Sequence, residues 1–434
     1  MFGYYLNLAL RSFMRNKVLT ALMVLAIALG IGACMTTLTV FHVLSGNPIP
    51  QKSDRLFAVQ LDPEPANSYS PGHEPDYQLT RFDAEELLRQ QRGKRQAMMV
   101  GASVIIETEG STTKPFIDHA RYTSADFFPM FDTPFQHGQG WTRDDDEARA
   151  RVAVIAKPLN DKLFNGADST GREIQIGGRA LRITGVLDHW VPSPKFYDLY
   201  TGAYGRDEQV FIPFSTAMEL GMGTSGTTNC FGSSPVNDTT DVNAPCTWIQ
   251  FWVELEDADQ AGTYKAYLDN YSAQQKAAGR FEREPNTRLR NVMEWLDHRQ
   301  VVPGDVQLQM WLAFGFLLVC LVNAVGLLLA KFLRRGGEIG VRRALGASRG
   351  SIFAQCLVEA GTVGLAGGVL GLGLALLGLW TVRRQSTGYA ELAQLDGAML
   401  LATFVLALLA GLFAGLLPAW RAMQITPAIQ LKSQ

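Results

Sequence analysis

Charge is missing from four long stretches of this 434-residue chain. Residues 18–51, 306–330, 360–382 and 397–420 contain no Asp, Glu, Lys or Arg. Each run exceeds the ~20 residues with which a helix crosses a hydrocarbon core of ~30 Å. A buried helix of a soluble protein accounts for one such run; four predict a bundle of transmembrane helices. Lipid leaves no other open form, because every backbone polar group must be satisfied inside the segment.

The residues of metal binding and catalysis are also sparse. The six histidines (His42, His73, His119, His137, His189 and His298) are scattered, and neither CxxC nor HExxH occurs, so no metal site is expected. No G-x-x-x-x-G-K-[ST] occurs to cradle ATP phosphates. "GASRG" at 346–350 formally matches G-x-S-x-G, but a nucleophile elbow needs a strand–turn–helix setting and a later His. All six histidines precede Ser348, and that reading is rejected. "DDDE" at 144–147 lacks the glycine and alternating oxygen ligands of a calcium loop and reads as a solvated turn. No catalytic, cofactor-binding or metal residue is assigned.

The five cysteines divide into two groups. Cys34, Cys320 and Cys356 fall in or beside the apolar runs and suit small apolar fillers. Cys230 and Cys246 lie in a Gly/Ser/Thr/Asn-rich stretch of the large polar segment. An oxidising exterior favours a bridge between them, worth about 3 kcal/mol for a loop of that size.

Orientation follows Lys and Arg near the membrane ends. Arg11, Arg15 and Lys17 precede the first run without an acid. Lys331, Arg334, Arg335, Arg342, Arg343 and Arg349 crowd 331–359 against Glu338 and Glu359, and Arg421 and Lys432 follow the last run. Both termini and the 331–359 loop are therefore expected in the cytoplasm, with 52–305 outside. That outer segment holds 26 basic and 37 acidic residues, a net of −11, which argues against nucleic-acid binding. The first run is too long for a signal-peptide core and no A-x-A site follows it. "IGAC" at 31–34 loosely resembles a lipoprotein box, but a plain first membrane helix is preferred.

The resulting fold class is a membrane protein: four transmembrane α-helices, with a large α+β extracytoplasmic domain of two subdomains inserted between helices 1 and 2. Residues 1–17 read as an amphipathic interfacial helix, 18–45 as helix 1 and a stalk, and 46–300 as the outer domain. Within it, 50–105 plus 245–300 form one subdomain and 106–244 the other. Residues 301–333 form a second stalk and helix 2, 334–351 a cytoplasmic segment, and 352–383 helix 3. Residues 384–396 form an external loop, 397–420 helix 4 and 421–434 a cytoplasmic tail. In the outer domain "DRLFAVQL", "MMVGASVIIET" and "CTWIQFWVEL" read as strands, and "DAEELLRQQ" as a helix capped by Asp83. "GREIQIGGRALRITGVL" reads as a hairpin turning at Gly177–Gly178. The insertion 220–246 is irregular. "RNVMEWLDHRQVVPGDVQLQMW" reads as the second stalk entering the membrane.

Helices 3 and 4 carry the pairs Gly364/Gly368, Gly367/Gly371 and Gly411/Gly415. That spacing lets helices approach closely, either inside the bundle or at a dimer face. Glu359 sits at the membrane edge, one turn from the basic loop, as an interfacial partner for Arg. Between Gly336/Gly337 and Gly346, a short helix over Glu338, Ile339, Gly340, Val341, Arg342, Arg343, Ala344 and Leu345 is expected. Ile339, Val341 and Leu345 would be its apolar contacts, and Arg342 and Arg343 would pair with acidic groups of a partner.

"RRGGEIGVRRALGASRGSIFAQCLVEA" resembles the coupling segment of FtsX/MacB-type ABC transporter permeases, and "LLPAWRAMQITPAIQLK" is similar to their C-terminal ending. "YTSADFFPMFDTPFQHGQGW" with "VAVIAKPLNDKLFNGADSTGREIQIGGRALRITGVL" resembles the MacB-like periplasmic core domain. The resemblance covers most of the chain in order, with 220–246 the main departure. It implies a multi-pass permease of the bacterial inner membrane with a periplasmic domain, pairing with a second permease, identical or paralogous. Two ATPase subunits would hold the ATP and Mg, in a separate chain, and the coupling helices would pass their motion to the outer domain. Export of a small molecule or peptide, with a periplasmic adaptor and an outer-membrane channel, is the leading process. LolC-like lipoprotein or lipid extraction and FtsX-like control of a cell-wall hydrolase are the alternatives. Beyond these partners only membrane lipid is expected, held by the basic loop.

Overall fold

The structure, a computed structural model, describes residues 17–107, 114–231, 238–384 and 394–424. The interfacial helix expected over 1–17 and the tail after 424 lie almost wholly outside these residues, as do most of the external loop and part of the 220–246 insertion. The chain divides into two compact units: Met1–Ser45 with Val302–Gln434, and Gly46–Val301.

In chain order the described elements are α1 (Lys17–Leu44), β1 (Leu56–Gln60), β2 (Leu79–Thr80), α2 (Arg81–Gln90), β3 (Arg95–Glu107), β4 (Phe116–Thr123) and α3 (Phe127–Met130). There follow β5 (Phe135–Gly138), α4 (Arg143–Glu147), β6 (Val152–Ala156), α5 (Lys157–Phe164), β7 (Glu173–Ile176), β8 (Arg179–Leu187), β9 (Val210–Pro213) and α6 (Phe214–Glu219). Then come β10 (Asn229–Cys230), β11 (Cys246–Glu254), α7 (Ala261–Ala277), β12 (Arg288–Asn291) and α8 (Val292–His298). The last four are α9 (Gly304–Arg334), α10 (Gly336–Ala344), α11 (Arg349–Arg383) and α12 (Gly397–Met423).

The unit Gly46–Val301 is built on one sheet in the order β12-β1-β11-β3-β4-β9-β6-β8-β5. Successive residues of a strand face opposite sides, and both sides are covered. Phe57, Val59, Met98, Val100, Ile155 and Phe251 face a core completed by α2 and α7. Leu56, Ala58, Met99, Val154 and Trp252 face a second core, filled by Phe127, Phe131, Tyr197 and Trp295. This double burial explains why β11 reads as a continuous apolar run rather than an alternating one. The β7–β8 hairpin turns where its sequence predicts, with Gly177 and Gly178 both at positive φ.

Three details differ from the sequence expectation. Along the main path of the sheet the strands of 50–105 and 245–300 lie on one side and those of 106–244 on the other, but β10 pairs with β11 and β7 with β3, and β3 and β4 pair without a break from Met99–Thr123 to Ile106–Phe116. The two halves are one continuous sheet. The cap of α2 is Thr80, whose side chain accepts from the Asp83 backbone N–H. Asp83 is buried instead, and accepts from the Tyr271 hydroxyl and from Arg280, each at 2.7 Å. A single stalk through 290–312 is not formed. Asn291 and Glu294 close a capping box on the short α8, and α9 starts afresh at Gly304, after Pro303.

Cys230 and Cys246 form a disulfide on the paired strands β10 and β11. Serine at both positions is expected to lower stability by about 3 kcal/mol through loss of loop closure. Thermal unfolding of the wild-type and C230S/C246S proteins checks this, and equal midpoints would refute it.

The other unit contains the four helices among the described residues that are long and apolar enough to cross a membrane: α1, α9, α11 and α12. Their inner faces meet through Met23, Ile27, Ile31, Leu317, Ala324, Val363 and Ala407. The opposite face of α9 exposes Leu312, Val319 and Val322, as a lipid-facing surface does.

Candidate functional site

The short helix α10 stands between α9 and α11, and its turn sequence explains its limits. Gly346 leaves it at φ +100, in the left-handed region that glycine favours after a helix end. Ser348 then caps α11 by accepting from the Ser351 N–H at 3.1 Å. That serine is a helix cap, which accounts for the G-x-S-x-G match without a nucleophile. Gly336 and Gly337 lie inside the first turn of α10 rather than ahead of it.

The faces of α10 are distinct. Gly336, Ile339 and Gly340 are buried, whereas Val341 is 53% and Leu345 84% exposed. Of the three apolar contacts read from the sequence, only Val341 and Leu345 point outward; Ile339 fastens the helix to its own bundle. Ala344 and Gly337 extend the exposed side. The helical period places 337, 341 and 344 along one stripe, with Leu345 following at the helix C-cap.

The arginines of α10 are bonded within the chain. Arg342 is engaged within the chain, with Nη2 donating to Glu338 at 3.0 Å and Nη1 to Gln355 at 2.9 Å. Arg343 donates to the Met423 carbonyl at 3.4 Å. Their bonds brace α10 against α11 and α12. Arg349 is exposed and has no ion pair among the described residues.

Behind α10 runs a chain of ion pairs. Glu338 takes two bonds from Arg335, both at 3.2 Å. Arg335 also donates from Nη1 to Glu359 Oε2 at 2.9 Å. The other oxygen of Glu359 meets Lys331 Nζ at 2.7 Å, and Lys331 donates to Thr20 Oγ1 at 3.3 Å. The series joins α1, α9, α10 and α11. Glu359 does pair with an Arg, and both it and Lys331 are buried inside the bundle. Lys331 was missed as a site residue. A signal was present: Lys331 ends one charge-free run and Glu359 opens the next, which puts opposite charges at one level of adjoining antiparallel helices.

The six helix-packing glycines are all buried. A Cβ at Gly364 would come within 2.6 Å of the Gly411 Cα, and one at Gly411 within 2.8 Å of the Gly364 Cα. Gly368 lies against Ala407 and Gly415 against Ala360. Gly367 and Gly371 face Ile27 and Ile31 of α1. Of the two readings, packing inside the bundle or at a dimer face, these contacts describe the first.

Two family patterns cover this architecture. Residues 20–271 match the MacB-like periplasmic core domain, more than half of the chain. The chain belongs to the MacB-like permease family. Residues 310–427 match the FtsX-like permease C-terminal domain, which includes α10 and its ion pairs. The pyoverdine export ATP-binding/permease protein PvdT of Pseudomonas aeruginosa is 24% identical over 429 residues, covering 96% of this chain and 57% of that protein. The macrolide export ATP-binding/permease protein MacB of Escherichia coli is 24% identical over 438 residues, covering 98% of this chain and 60% of that protein. The chain thus spans a little under two thirds of these relatives. The periplasmic region of MacB from Actinobacillus actinomycetemcomitans aligns at 13% identity with a TM-score of 0.36, over 56% of this chain and 92% of that one. As a MacB-like permease, the protein is a multi-pass protein of the inner membrane with a periplasmic-type domain between its first two crossings.

Proposed function

We propose that this permease is driven by a separate ATPase that docks on α10, and that its outer domain moves in response to export a small molecule or peptide. The single observation that carries the reading is the two-sidedness of α10: a bare apolar stripe in front, ion pairs and a buried isoleucine behind. A loop that only holds anionic lipid needs positive charge, but it has no use for an exposed Leu345 on a braced helix. A helix that receives force needs both features, because an apolar anchor holds the partner and the directional bonds keep the helix from yielding. In this scheme both termini and α10 are cytoplasmic, as the Lys/Arg distribution favours. ATP and Mg reside in the ATPase pair, and a second permease completes the assembly. A periplasmic adaptor and an outer-membrane channel are the partners that an export route requires. Pyoverdine and macrolides belong to the names of the relatives; here the proposal extends to export and leaves the cargo open.

The test is copurification from gently solubilised membranes. An ATPase is expected with the wild-type chain, and Leu345→Asp is expected to reduce its recovery by about tenfold, since placing a charge in the centre of an apolar contact loses more than ~1.4 kcal/mol. Leu345 has few contacts of its own, so the variant remains folded. Equal recovery of the ATPase with Leu345→Asp, or none with the wild type, would overturn the proposal.

A further inference from the structure

A cleft of about 540 Å³ opens in the outer domain between α2, α4 and α6, over β3. Its floor is apolar, formed by Leu88, Met98, Phe214 and Met218. Its rim is charged, and its arginines are already engaged by acids. Arg81 pairs with Glu85 at 2.7 Å, Arg143 with Asp126 at 2.5 Å, and Arg149 with Glu219 at 3.7 Å. Arg89 is held by Glu86.

Two carboxylates of α4 remain. Asp146 accepts only from neutral donors: Trp141 Nε1 at 2.8 Å and the Ala125 backbone N–H at 2.7 Å. Glu147 is exposed at the rim and has no ion pair among the described residues. Burial pushes the Asp146 carboxyl up to about 7, with Asp126 and Asp145 adding repulsion. A cation beside it would oppose both effects. A concave, largely apolar space of this volume with a few oriented polar groups has the build of a small-molecule site.

We propose that this cleft binds a small organic cation with an apolar body, seated on Met98, Phe214 and Met218 with its charge toward Asp146 and Glu147. The apolar floor favours burial of the body, and Asp146 and Glu147 select the charge, although Arg143, bonded to Asp126, also attracts Asp146. Such a ligand would touch both halves of the sheet domain, since α2 and β3 precede β4 while α4 and α6 follow it. The assignment does not depend on what docks at α10, and loss of either leaves the other standing.

The test uses two probes of one shape and opposite charge, tetraphenylphosphonium and tetraphenylborate, with the full chain in detergent. Trp141, bonded to Asp146, reports occupancy by fluorescence, and calorimetry gives the affinity. Tetraphenylphosphonium is expected to bind at least about tenfold tighter than tetraphenylborate, a difference of ~1.4 kcal/mol. Glu147→Gln is expected to weaken it about threefold, within the range of an exposed charge pair. Met218→Trp, a half-buried position, fills the cleft and is expected to abolish the signal. Tetraphenylborate binding as tightly, no measurable tetraphenylphosphonium binding, or an affinity unchanged in both variants would overturn the proposal. The last result would put the probe in the micelle or the bundle.

Discussion

Glu359→Leu is expected to destabilise the membrane unit by about 3–5 kcal/mol, the usual loss when one member of a buried ion pair is removed. Two cations rely on this carboxylate. Lys331 is fully enclosed and has Glu359 at 2.7 Å, and Arg335 reaches its other oxygen at 2.9 Å. Leucine fills the volume but leaves the ammonium without its counter-charge in a place with little water. Arg335 keeps Glu338 and suffers less. Lys331→Leu combined with Glu359→Leu is expected to recover most of the loss, because a buried pair replaced by apolar side chains of similar size is often neutral. Thermal unfolding of the purified variants in detergent tests the pattern. If the single variant melts with the wild type, the pair is solvated and the burial is wrong. If the double variant is no better than the single, the loss arises from Glu359 alone.

A comparable effect is expected at the crossing of α11 and α12. A Cβ at Gly364 meets the Cα of Gly411 and the Ala407 carbonyl at 2.6 and 2.7 Å. These are backbone atoms, so no rotamer change relieves the clash and the helices must separate. Gly364→Ala is expected to cost about 1–3 kcal/mol as an overpacking change, and Gly364→Leu to prevent recovery of monodisperse protein. Gly373, on the same helix, has nothing within 4 Å of its would-be Cβ. There alanine is expected to be neutral or to stabilise by up to about 1 kcal/mol, the helix-propensity difference. The contrast separates packing from propensity, and size-exclusion profiles with melting midpoints read it. Similar midpoints for Gly364→Ala and Gly373→Ala would refute the close crossing.

The four membrane helices were legible because lipid leaves a coarse signal: charge stops and starts again at each boundary. The hairpin at Gly177–Gly178 was legible because two successive positive φ values nearly require glycine. The location of α10 was legible from its bracketing glycines, but its orientation was not. A nine-residue helix with apolar residues at 339 and 341, and Leu345 at its C-cap, has no single apolar face, so periodicity alone did not show that Ile339 turns inward. Likewise Arg342 and Arg343 look alike as neighbours in sequence, while their partners, Gln355 and the Met423 carbonyl, belong to helices that only the fold brings near. The cleft was not legible at all. Its floor comes from α2, β3 and α6, and Asp146 looked like one member of a solvated acidic turn until the Trp141 and Ala125 bonds gave it an interior.

The unbroken pairing of β3 with β4 has a mechanical meaning. Eight consecutive residue pairs cross the border between the two halves of the outer domain, and bending the domain there would shear their hydrogen bonds. The domain is therefore one continuous sheet across that border, not two lobes joined by a linker. Under the proposed function, a load applied at one edge would reach the other through this pairing, and a molecule in the cleft would be carried along with the sheet.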